Sequence, residues 1–290
     1  MKTTNDLKRY AVDPLAFAED LIQPTPSGDR RFGDIMAGFQ YERFAVLAPD
    51  LVALQRQEKP PTQQHWWEAT KGASKDTDLA IAVLWALMFS TRPLRIIIGA
   101  ADRDQAAEMR LAANQIFNAN PWLGGNLKLD RWQIARPDTG ATAEIVAADI
   151  AGSHGSRPDV LILNELHAIS EGRKEFALNM MDNAAKVPTG IRIIATNAGY
   201  RNTWQWQWRE DARLHPEEWY FHKLDQPAPW VTAKDLEQAQ RRNSRTRYLR
   251  LWHGVWCAAS GDALDQTDIE AAMTMAGPHR TPQDGFVYGA

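Results

Sequence analysis

An α/β fold is predicted by the sequence, with a mostly parallel central sheet that is flanked by helices. Residues 94–99 and 160–163 are nearly continuous apolar runs, which are typical of strands covered on both faces. Candidate strands also alternate with candidate helices along much of the chain, and this order is typical of parallel sheets with helical crossovers. These two observations place the chain in the α/β class.

The candidate elements follow one another from residue 65 onward. Short apolar segments are predicted as strands at 65–69, 94–99, 132–134, 143–147, 160–163 and 191–195. Longer segments between them are predicted as helices at 76–90, 103–118 and 173–186. Upstream, apolar spacing predicts a short helix near 15–22 and a longer one over 35–54 that is interrupted at Pro49. Toward the C-terminus, polar amphipathic helices are predicted at Trp204–Leu214 and 232–250, with no strong strand between them.

Length and composition describe an ordinary globular chain. Its 290 residues can bury a full core in one or two domains, and hydrophobic residues make up 44% of them. The net charge of -3 supplies no overall basic field for nucleic acid, although a single basic face is compatible with it. Cys257 is the only cysteine, which excludes an internal disulfide and fits a reducing cytoplasm. No apolar run reaches the roughly 18 residues of a membrane span, and residues 1–13 lack the apolar core of a signal peptide.

Residues 70–77 join a candidate strand to an apolar helix through a loop that contains glycine and lysine. Such a loop turns backbone N–H groups and a helix N-terminus toward phosphates, as a P-loop does. Relative to the usual P-loop motif, Ala69, Ser74 and Asp76 replace the two glycines and the hydroxyl residue. The candidate nucleotide-binding residues are Thr70, Lys71, Gly72, Ala73, Ser74, Lys75, Asp76 and Thr77. The alternative is an exposed lysine turn that Ser74 or Asp76 caps before the helix.

Asn164 and Glu165 follow the buried strand 160–163, at the edge of the sheet where parallel α/β proteins bind ligands. A carboxylate there can orient and deprotonate the water that attacks a terminal phosphate, so Glu165 is the predicted catalytic base. Its alternative role is to stabilise a helix N-terminus. P-loop nucleotide hydrolases usually carry a metal-linked aspartate at the position of Asn164. In this chain Asp76 places an acid in the loop instead. We therefore expect Asp76 and Asn164 together to hold a magnesium ion.

Residues 153–157 form a partly basic turn just before this strand. Arg157 either reaches the nucleotide of a neighbouring subunit, as an arginine finger, or is a solvated loop residue. No ligand spacing supports a zinc site at His154 and His167. A second basic run at 241–247 is either a phosphate-contacting face or a solvated helix surface.

With these segments in order, the chain resembles the large subunit of tailed-phage terminases, the motors that package viral DNA. Five segments carry the resemblance: 38–40 looks like the family's adenine-contacting glutamine segment, 70–77 like its altered Walker A loop, 161–165 like Walker B with the catalytic glutamate, 195–197 like the coupling motif, and 248–253 with 255–256 like the segment that closes the ATPase region. The resemblance implies that Gln40 binds ATP, and that Thr196 and Asn197 sense its terminal phosphate and couple hydrolysis to DNA movement.

The resemblance also implies an architecture, cofactors and partners. A P-loop ATPase core at 46–227 would carry a small helical lid built from 1–45 and 228–275, followed by a linker at 276–290. The cofactors would be ATP and Mg²⁺. The partners would be double-stranded DNA, a portal protein, a terminase small subunit and further copies of the chain in a ring on the capsid, without a membrane. The expected location is the cytoplasm of the bacterial host during phage assembly.

The sequence leaves three functions open. The first is an active packaging ATPase, whose family carries a second, RNase H-like nuclease domain that would begin near Phe286, so that this chain is not expected to cut DNA by itself. The second is a catalytically weak nucleotide-binding module for assembly or portal docking. The third is another P-loop ATPase that acts on nucleic acid. A helicase-like protein would normally show a second α/β lobe, for which residues 200–290 are too short and too helical.

Overall fold

The computed structural model describes residues 2–148 and 156–258, together with residues 271, 273 and 274. The strands of this part of the chain are β1 (Ile22–Thr25), β2 (Gly28–Arg31), β3 (Gln64–Glu68), β4 (Arg95–Ala100), β5 (Lys128–Leu129), β6 (Gln133–Arg136), β7 (Ala141–Ala147), β8 (Val160–Asn164), β9 (Ile191–Thr196) and β10 (Trp219–Lys223). The first two form a separate hairpin, and the other eight form one sheet in the order β10-β3-β9-β8-β4-β7-β6-β5.

The helices of the described chain are α1 (Thr4–Val12), α2 (Pro14–Asp20), α3 (Phe32–Ile35), α4 (Gly38–Arg56), α5 (Lys75–Met88), α6 (Arg103–Ala119), α7 (Lys174–Ala185), α8 (Trp204–Leu214), α9 (Ala233–Arg242) and α10 (Arg245–His253). Helices lie in the chain between most of the parallel strands, as crossover connections require. The predicted helices at 76–90, 103–118 and 173–186 correspond to α5, α6 and α7.

The central sheet is mostly parallel, as the sequence predicts. The strands from β10 to β7 pair in parallel, and β6 and β5 continue the sheet antiparallel at one edge. Along β8, Ile162 packs in the apolar cluster on one face, and its neighbours Leu161 and Leu163 pack in the cluster on the other. Both faces of this strand are therefore covered, which explains its continuous apolar sequence.

Different helices supply the two faces of the core. Side chains of α5 and α6, together with those of α1, α2 and α4, form one cluster with the sheet, in which Trp85 and Phe17 are fully buried. Side chains of α7 and α8 form the other cluster, which includes Met180 and Trp204. The result is a sandwich of helices around the sheet, and it leaves the carboxyl ends of β3, β8 and β9 next to one another.

The strand β10 contradicts the expectation that no strand lies between the two C-terminal helical stretches. It extends the sheet beyond β3 in parallel, with Trp219 opposite Gln64. Phe221 stacks on Trp66 with ring centroids 6.3 Å apart. An edge strand of this kind is only partly buried and mixes aromatic with polar residues. It therefore lacks the continuous apolar run by which the inner strands are recognised.

Two expectations about helices were also wrong. The helix α4 continues through Pro49, because Leu47 and Leu51 anchor it in the core on either side of the missing hydrogen-bond donor. The helix expected over 232–250 is divided in two, because the Ser244 side chain accepts from the backbone N–H of Arg247 and so starts α10 as a separate helix.

No described helix combines the length and the apolar character that crossing a membrane requires. The strand expected near Phe286, the linker at 276–290 and His154 lie outside the described residues.

Candidate functional site

The loop between β3 and α5 turns through left-handed backbone at two positions. Gly72 has a φ of +76° and Ser74 one of +59°, a conformation that is easy for glycine and unfavourable for serine. Among the residues that the structure describes, the backbone N–H groups of Gly72 and of residues 74–77 have no protein acceptor. Several unpaired N–H groups in a turn at a helix N-terminus form an anion-binding site.

The same loop is fastened to the C-terminal part of the chain. The backbone N–H of Lys71 donates to the carbonyl of Leu251 in α10 at 2.6 Å. On the other side, the indole N–H of Trp230 donates to the carbonyl of Gly72 at 2.8 Å. These two bonds hold the loop in place without using the N–H groups at its tip.

A cavity of about 1080 Å³ opens beside the loop. Its walls are loop residues 71–77, the hairpin of β1 and β2, part of α6, and the side chains of Glu165, Asn197 and Trp230. Ligand sites usually enclose about 300–1,000 Å³, so this volume suits a nucleotide.

Lys75, the first residue of α5, connects the loop to the ends of two strands. Its Nζ lies 3.1 Å from Oε1 of Glu165 and donates to Oδ1 of Asn197 at 2.7 Å. The lysine is only 5% exposed. Glu165 follows β8, Asn197 follows β9, and these strands are neighbours in the sheet, so the structure brings three of the predicted site residues together.

Glu165 is held between two basic side chains. Its backbone is left-handed, with a φ of +53°, and the Nδ1 of His167 lies 3.1 Å from its second carboxyl oxygen. Burial alone would raise the pKa of Glu165, but the charge of Lys75 and the neighbouring His167 outweigh burial and lower the pKa to about 2. The carboxyl group is therefore ionised at neutral pH, as a group that accepts a proton must be.

Thr196 links the two strand ends. Its hydroxyl accepts a hydrogen bond from the backbone N–H of His167 at 3.0 Å and donates to the carbonyl of Asn197 at 2.9 Å. Thr196 is fully buried. The segment after β8 that carries Glu165 is therefore connected through this hydroxyl to the segment after β9.

The two predicted metal residues contact each other directly. Nδ2 of Asn164 donates to Oδ1 of Asp76 at 2.6 Å, and Oδ1 of Asn164 accepts from the backbone N–H of Glu165 at 3.1 Å. Burial raises the pKa of Asp76. The positive charge of Lys75 lowers this pKa but offsets the effect of burial only in part.

The donor set of this site fits some metals and excludes others. In the described part of the chain, no group of three or more His, Cys, Asp or Glu side chains could hold a metal. A single carboxylate, Asp76, beside a phosphate-binding loop suits a hard cation that takes its remaining oxygen ligands from substrate phosphates and water. Magnesium is such a cation, whereas zinc would need more protein ligands.

Gln40 lines the large cavity, but its side chain is already hydrogen-bonded within the protein. Its Nε2 donates to Oδ1 of Asp78 at 2.6 Å, and its Oε1 accepts from the backbone N–H of Ala37 at 3.1 Å. Asp78 also pairs with Arg43 at 3.2 Å, and all three side chains are buried. The sequence analysis missed this ion pair, because Asp78 lies in the polar first turn of α5 and resembles an ordinary acid at a helix N-terminus.

Arg157 lies apart from these residues. It is exposed and precedes β8, whereas Asn164 and Glu165 lie at the other end of that strand. It does not line the large cavity. Its predicted action on the nucleotide of a neighbouring subunit stays a prediction.

Sequence reasoning also missed His167 as a part of the site and Arg250 as a residue next to it. The sequence signal for His167 was its position two residues after Glu165. Arg250 was noticed only as a member of the segment 248–253, because the packing of α10 against the loop is what brings it next to the site.

Comparison with solved structures finds phage large terminases. The chain aligns with the HK97 bacteriophage large terminase at a TM-score of 0.68 and 15% identity, over 84% of this chain and 54% of that one. It aligns with the ATPase domain of the Thermus phage P74-26 large terminase at a TM-score of 0.56 and 11% identity, over 80% of this chain and 99% of that domain. A third match is the large terminase of the thermophilic bacteriophage D6E in complex with ATP-γ-S, with a TM-score of 0.52, 12% identity, and coverage of 72% and 52%.

These similarities establish the fold. The chain spans about half the length of the HK97 terminase and nearly all of the isolated P74-26 ATPase domain. Its architecture is therefore the α/β fold of the ATPase region of phage large terminases, and the predicted resemblance is confirmed at that level. Neither a protein-family model nor a curated protein matches the chain.

Proposed function

We propose that this chain is the ATP-hydrolysing motor domain of a phage terminase large subunit, which drives double-stranded DNA into a procapsid. The observation that carries the proposal is the position of Lys75, whose Nζ contacts both Glu165 and Asn197 beside a loop with unpaired N–H groups. A terminal phosphate bound there would meet a cation, N–H donors and an ionised carboxylate at once. A D6E terminase in complex with ATP-γ-S is among the proteins of the same fold, which supports nucleotide binding.

The triphosphate would bind along the loop. The N–H groups of Gly72 and of residues 74–77 donate to its phosphate oxygens, and Lys75 turns from Glu165 toward the β- and γ-phosphates. Asp76 and Asn164 would hold Mg²⁺, which, when bound, neutralises the charge that develops on these phosphate oxygens.

Glu165 then acts on water. Once Lys75 has moved to the phosphates, the carboxylate is free to orient a water molecule toward the γ-phosphorus and to accept its proton. His167, which lies 3.1 Å from the other carboxyl oxygen, keeps the carboxylate in position. Thr196 and Asn197 carry the resulting movement to the segment after β9.

The role of a packaging motor also implies partners and a place of action. Double-stranded DNA, a portal protein, a terminase small subunit and further copies of the chain in a ring on the capsid are the proposed partners. The proposed place of action is the cytoplasm of the bacterial host.

A nucleotide-binding module for assembly, with weak catalysis, is the second candidate. It is favoured by Asn164, whose amide replaces a carboxylate and donates to Asp76. ATP turnover by the purified chain, with and without double-stranded DNA, separates the two candidates. Turnover that disappears in both Lys75→Ala and Glu165→Gln supports the motor, and no turnover in the wild type with DNA or portal protein refutes it.

A further inference from the structure

A second, smaller cavity of about 250 Å³ adjoins the nucleotide cavity. The two cavities share Lys71, Asp76, Glu108, Glu165 and Asn197, which therefore form a common wall. The rest of its lining is Gln105, His167 and three residues of α10, which are Arg247, Arg250 and Leu251.

Arg250 is a buried arginine of α10. The residue is 8% exposed, its Nε has no hydrogen-bond partner, and its guanidinium makes no ion pair with any residue that the structure describes. Its guanidinium packs on the ring of Tyr200, whose centroid lies 3.9 Å away. Removing a charge from water is costly unless the charge is paired. A buried arginine that lines a cavity is therefore a site for an anion.

Arg247 adds a second positive charge at the same place. It precedes Arg250 by three residues, so the two side chains share a face of α10, and it lines the cavity while it stays exposed to solvent. Lys71 supplies a third cation from the nucleotide loop.

The volume limits which anion can enter. At about 30 Å³ for each water, the cavity has room for about eight waters. That space holds a tetrahedral oxyanion with part of its hydration shell. It is smaller than the roughly 300–1,000 Å³ of sites for larger organic ligands, so a second nucleotide does not fit.

We propose that this second cavity binds orthophosphate, the product released at Glu165, through Arg250 and Arg247. The inference rests on the proposed function, since hydrolysis beside Glu165 would leave orthophosphate against the common wall. Binding is non-covalent. The helix that holds the phosphate also holds the nucleotide loop, because Leu251, the neighbour of Arg250, accepts the backbone N–H of Lys71. Release of phosphate would therefore alter the contact that holds the nucleotide loop. In this way phosphate release would control the binding of the next nucleotide.

Calorimetric titration of inorganic phosphate into the whole 290-residue chain, saturated with ADP and Mg²⁺, tests the proposal. We expect phosphate to bind beside ADP, and Arg250→Gln to weaken phosphate binding by about tenfold, as the loss of charged hydrogen bonds would. Arg247→Gln should weaken it by about threefold, because that residue is solvated. Arg242→Gln removes an exposed arginine of α9 that does not line the cavity, and should leave phosphate affinity unchanged.

A second arm separates free orthophosphate from the terminal phosphate of the nucleotide. Affinity for ATP-γ-S should be the same in the wild type and in Arg250→Gln. Weaker ATP-γ-S binding with unchanged phosphate binding would overturn the proposal, as would phosphate affinity that is insensitive to both arginine substitutions. Thermal unfolding of each variant shows whether it is folded. If Arg250→Gln does not fold, the phosphate affinity of Arg247→Gln, a change at an exposed residue, tests the proposal instead.

The titration reads phosphate binding directly, so it is independent of turnover. Absence of ATP hydrolysis in the wild type would refute the proposed function, while arginine-dependent phosphate binding would leave the oxyanion site standing. Turnover without any arginine-dependent phosphate binding would support the proposed function and refute the oxyanion site.

Discussion

The Nζ of Lys75 lies 3.1 Å from Oε1 of Glu165, so the first residue of α5 is joined to the residue that follows β8. In the proposed reaction these two groups act on different parts of the substrate, the lysine on phosphate and the glutamate on water. Each therefore neutralises the other until a triphosphate attracts the lysine away. The ion pair with Lys75 keeps the buried carboxylate of Glu165 ionised and in place.

Glu165→Gln should abolish turnover while it preserves nucleotide binding. The amide cannot accept a proton, and general-base catalysis typically contributes about 10²–10⁴-fold, so ATP hydrolysis should fall by at least about 100-fold. Lys75 loses its competing partner and stays available to the phosphates, so ATP affinity should be unchanged or higher.

Glu171→Gln is the matched control, because Glu171 is exposed and does not line either cavity. It should turn over ATP at the wild-type rate. Steady-state hydrolysis and equilibrium binding of ATP-γ-S check both expectations, and a Glu165→Gln enzyme with substantial activity would remove the glutamate from its proposed role.

The contact between Asp76 and Asn164 predicts a rescue by exchange. Asp76→Asn leaves two amides where a hard cation needs a carboxylate, so the Mg²⁺-dependent part of ATP affinity should be lost. The double variant Asp76→Ser with Asn164→Asp moves the acid to the end of β8 and should recover that Mg²⁺ dependence. Titrating Mg²⁺ at fixed nucleotide measures it. A Mg²⁺ response that survives in Asp76→Asn would contradict the assignment of the metal site.

Much of this geometry could be expected from the sequence, because local chemistry determines it. The runs around Ile98 and Ile162 signal strands buried on two faces, and a loop with Lys75 before an apolar helix signals a phosphate site. Residues at the carboxyl ends of adjacent parallel strands must meet, so Glu165 and Asn197 converge as soon as their strands are neighbours.

Other features depend on tertiary contacts that leave no local trace. The edge strand β10 exists because aromatic side chains such as Phe221 pack on Trp66, across a large separation in sequence. Arg43 and Asp78 look like ordinary surface charges in the sequence, and only the packing of α4 on α5 buries them. Arg250 belongs to the same class, because its cavity is formed by elements from several parts of the chain.

Breaking the buried pair of Asp78 and Arg43 should destabilise the fold. Asp78→Ala leaves the Arg43 guanidinium buried without its carboxylate, and breaking one side of a buried pair typically costs about 3–5 kcal/mol. It also removes the acceptor of the Gln40 amide, so ATP affinity should fall as well if Gln40 contacts adenine. Chemical denaturation is the measurement, with Asp29→Ala in the exposed β2 strand as a control that should change stability little. A loss below about 1 kcal/mol would mean that Arg43 finds another partner.

The pKa of Glu165 predicts how stability depends on pH. Its pKa falls from 4.5 in the unfolded chain to about 2 in the folded one, so the folded state binds fewer protons in that range. The stabilisation from this group is therefore complete above pH 4.5 and is lost as the pH falls toward 2. Glu165→Gln should be less stable than the wild type at neutral pH, and the difference should shrink on acidification. Urea unfolding at pH 7 and pH 3 measures it, and a constant difference would show that the ion pair does not set this pKa.

Thr196→Val should separate hydrolysis from its coupling to DNA. Valine keeps the shape of the side chain but removes the hydroxyl that accepts from the His167 N–H and donates to the Asn197 carbonyl. The phosphate loop is untouched, so nucleotide affinity and unstimulated turnover should stay within about threefold of wild type, a change of less than about 1 kcal/mol. Stimulation of turnover by double-stranded DNA should fall, because the segments after β8 and β9 are no longer joined through this side chain. Thr142→Val in β7 is the matched control and should keep full stimulation, because the Thr142 hydroxyl makes no hydrogen bond with any residue that the structure describes. Equal stimulation in Thr196→Val and the wild type would mean that the signal passes through the Lys75–Asn197 contact instead.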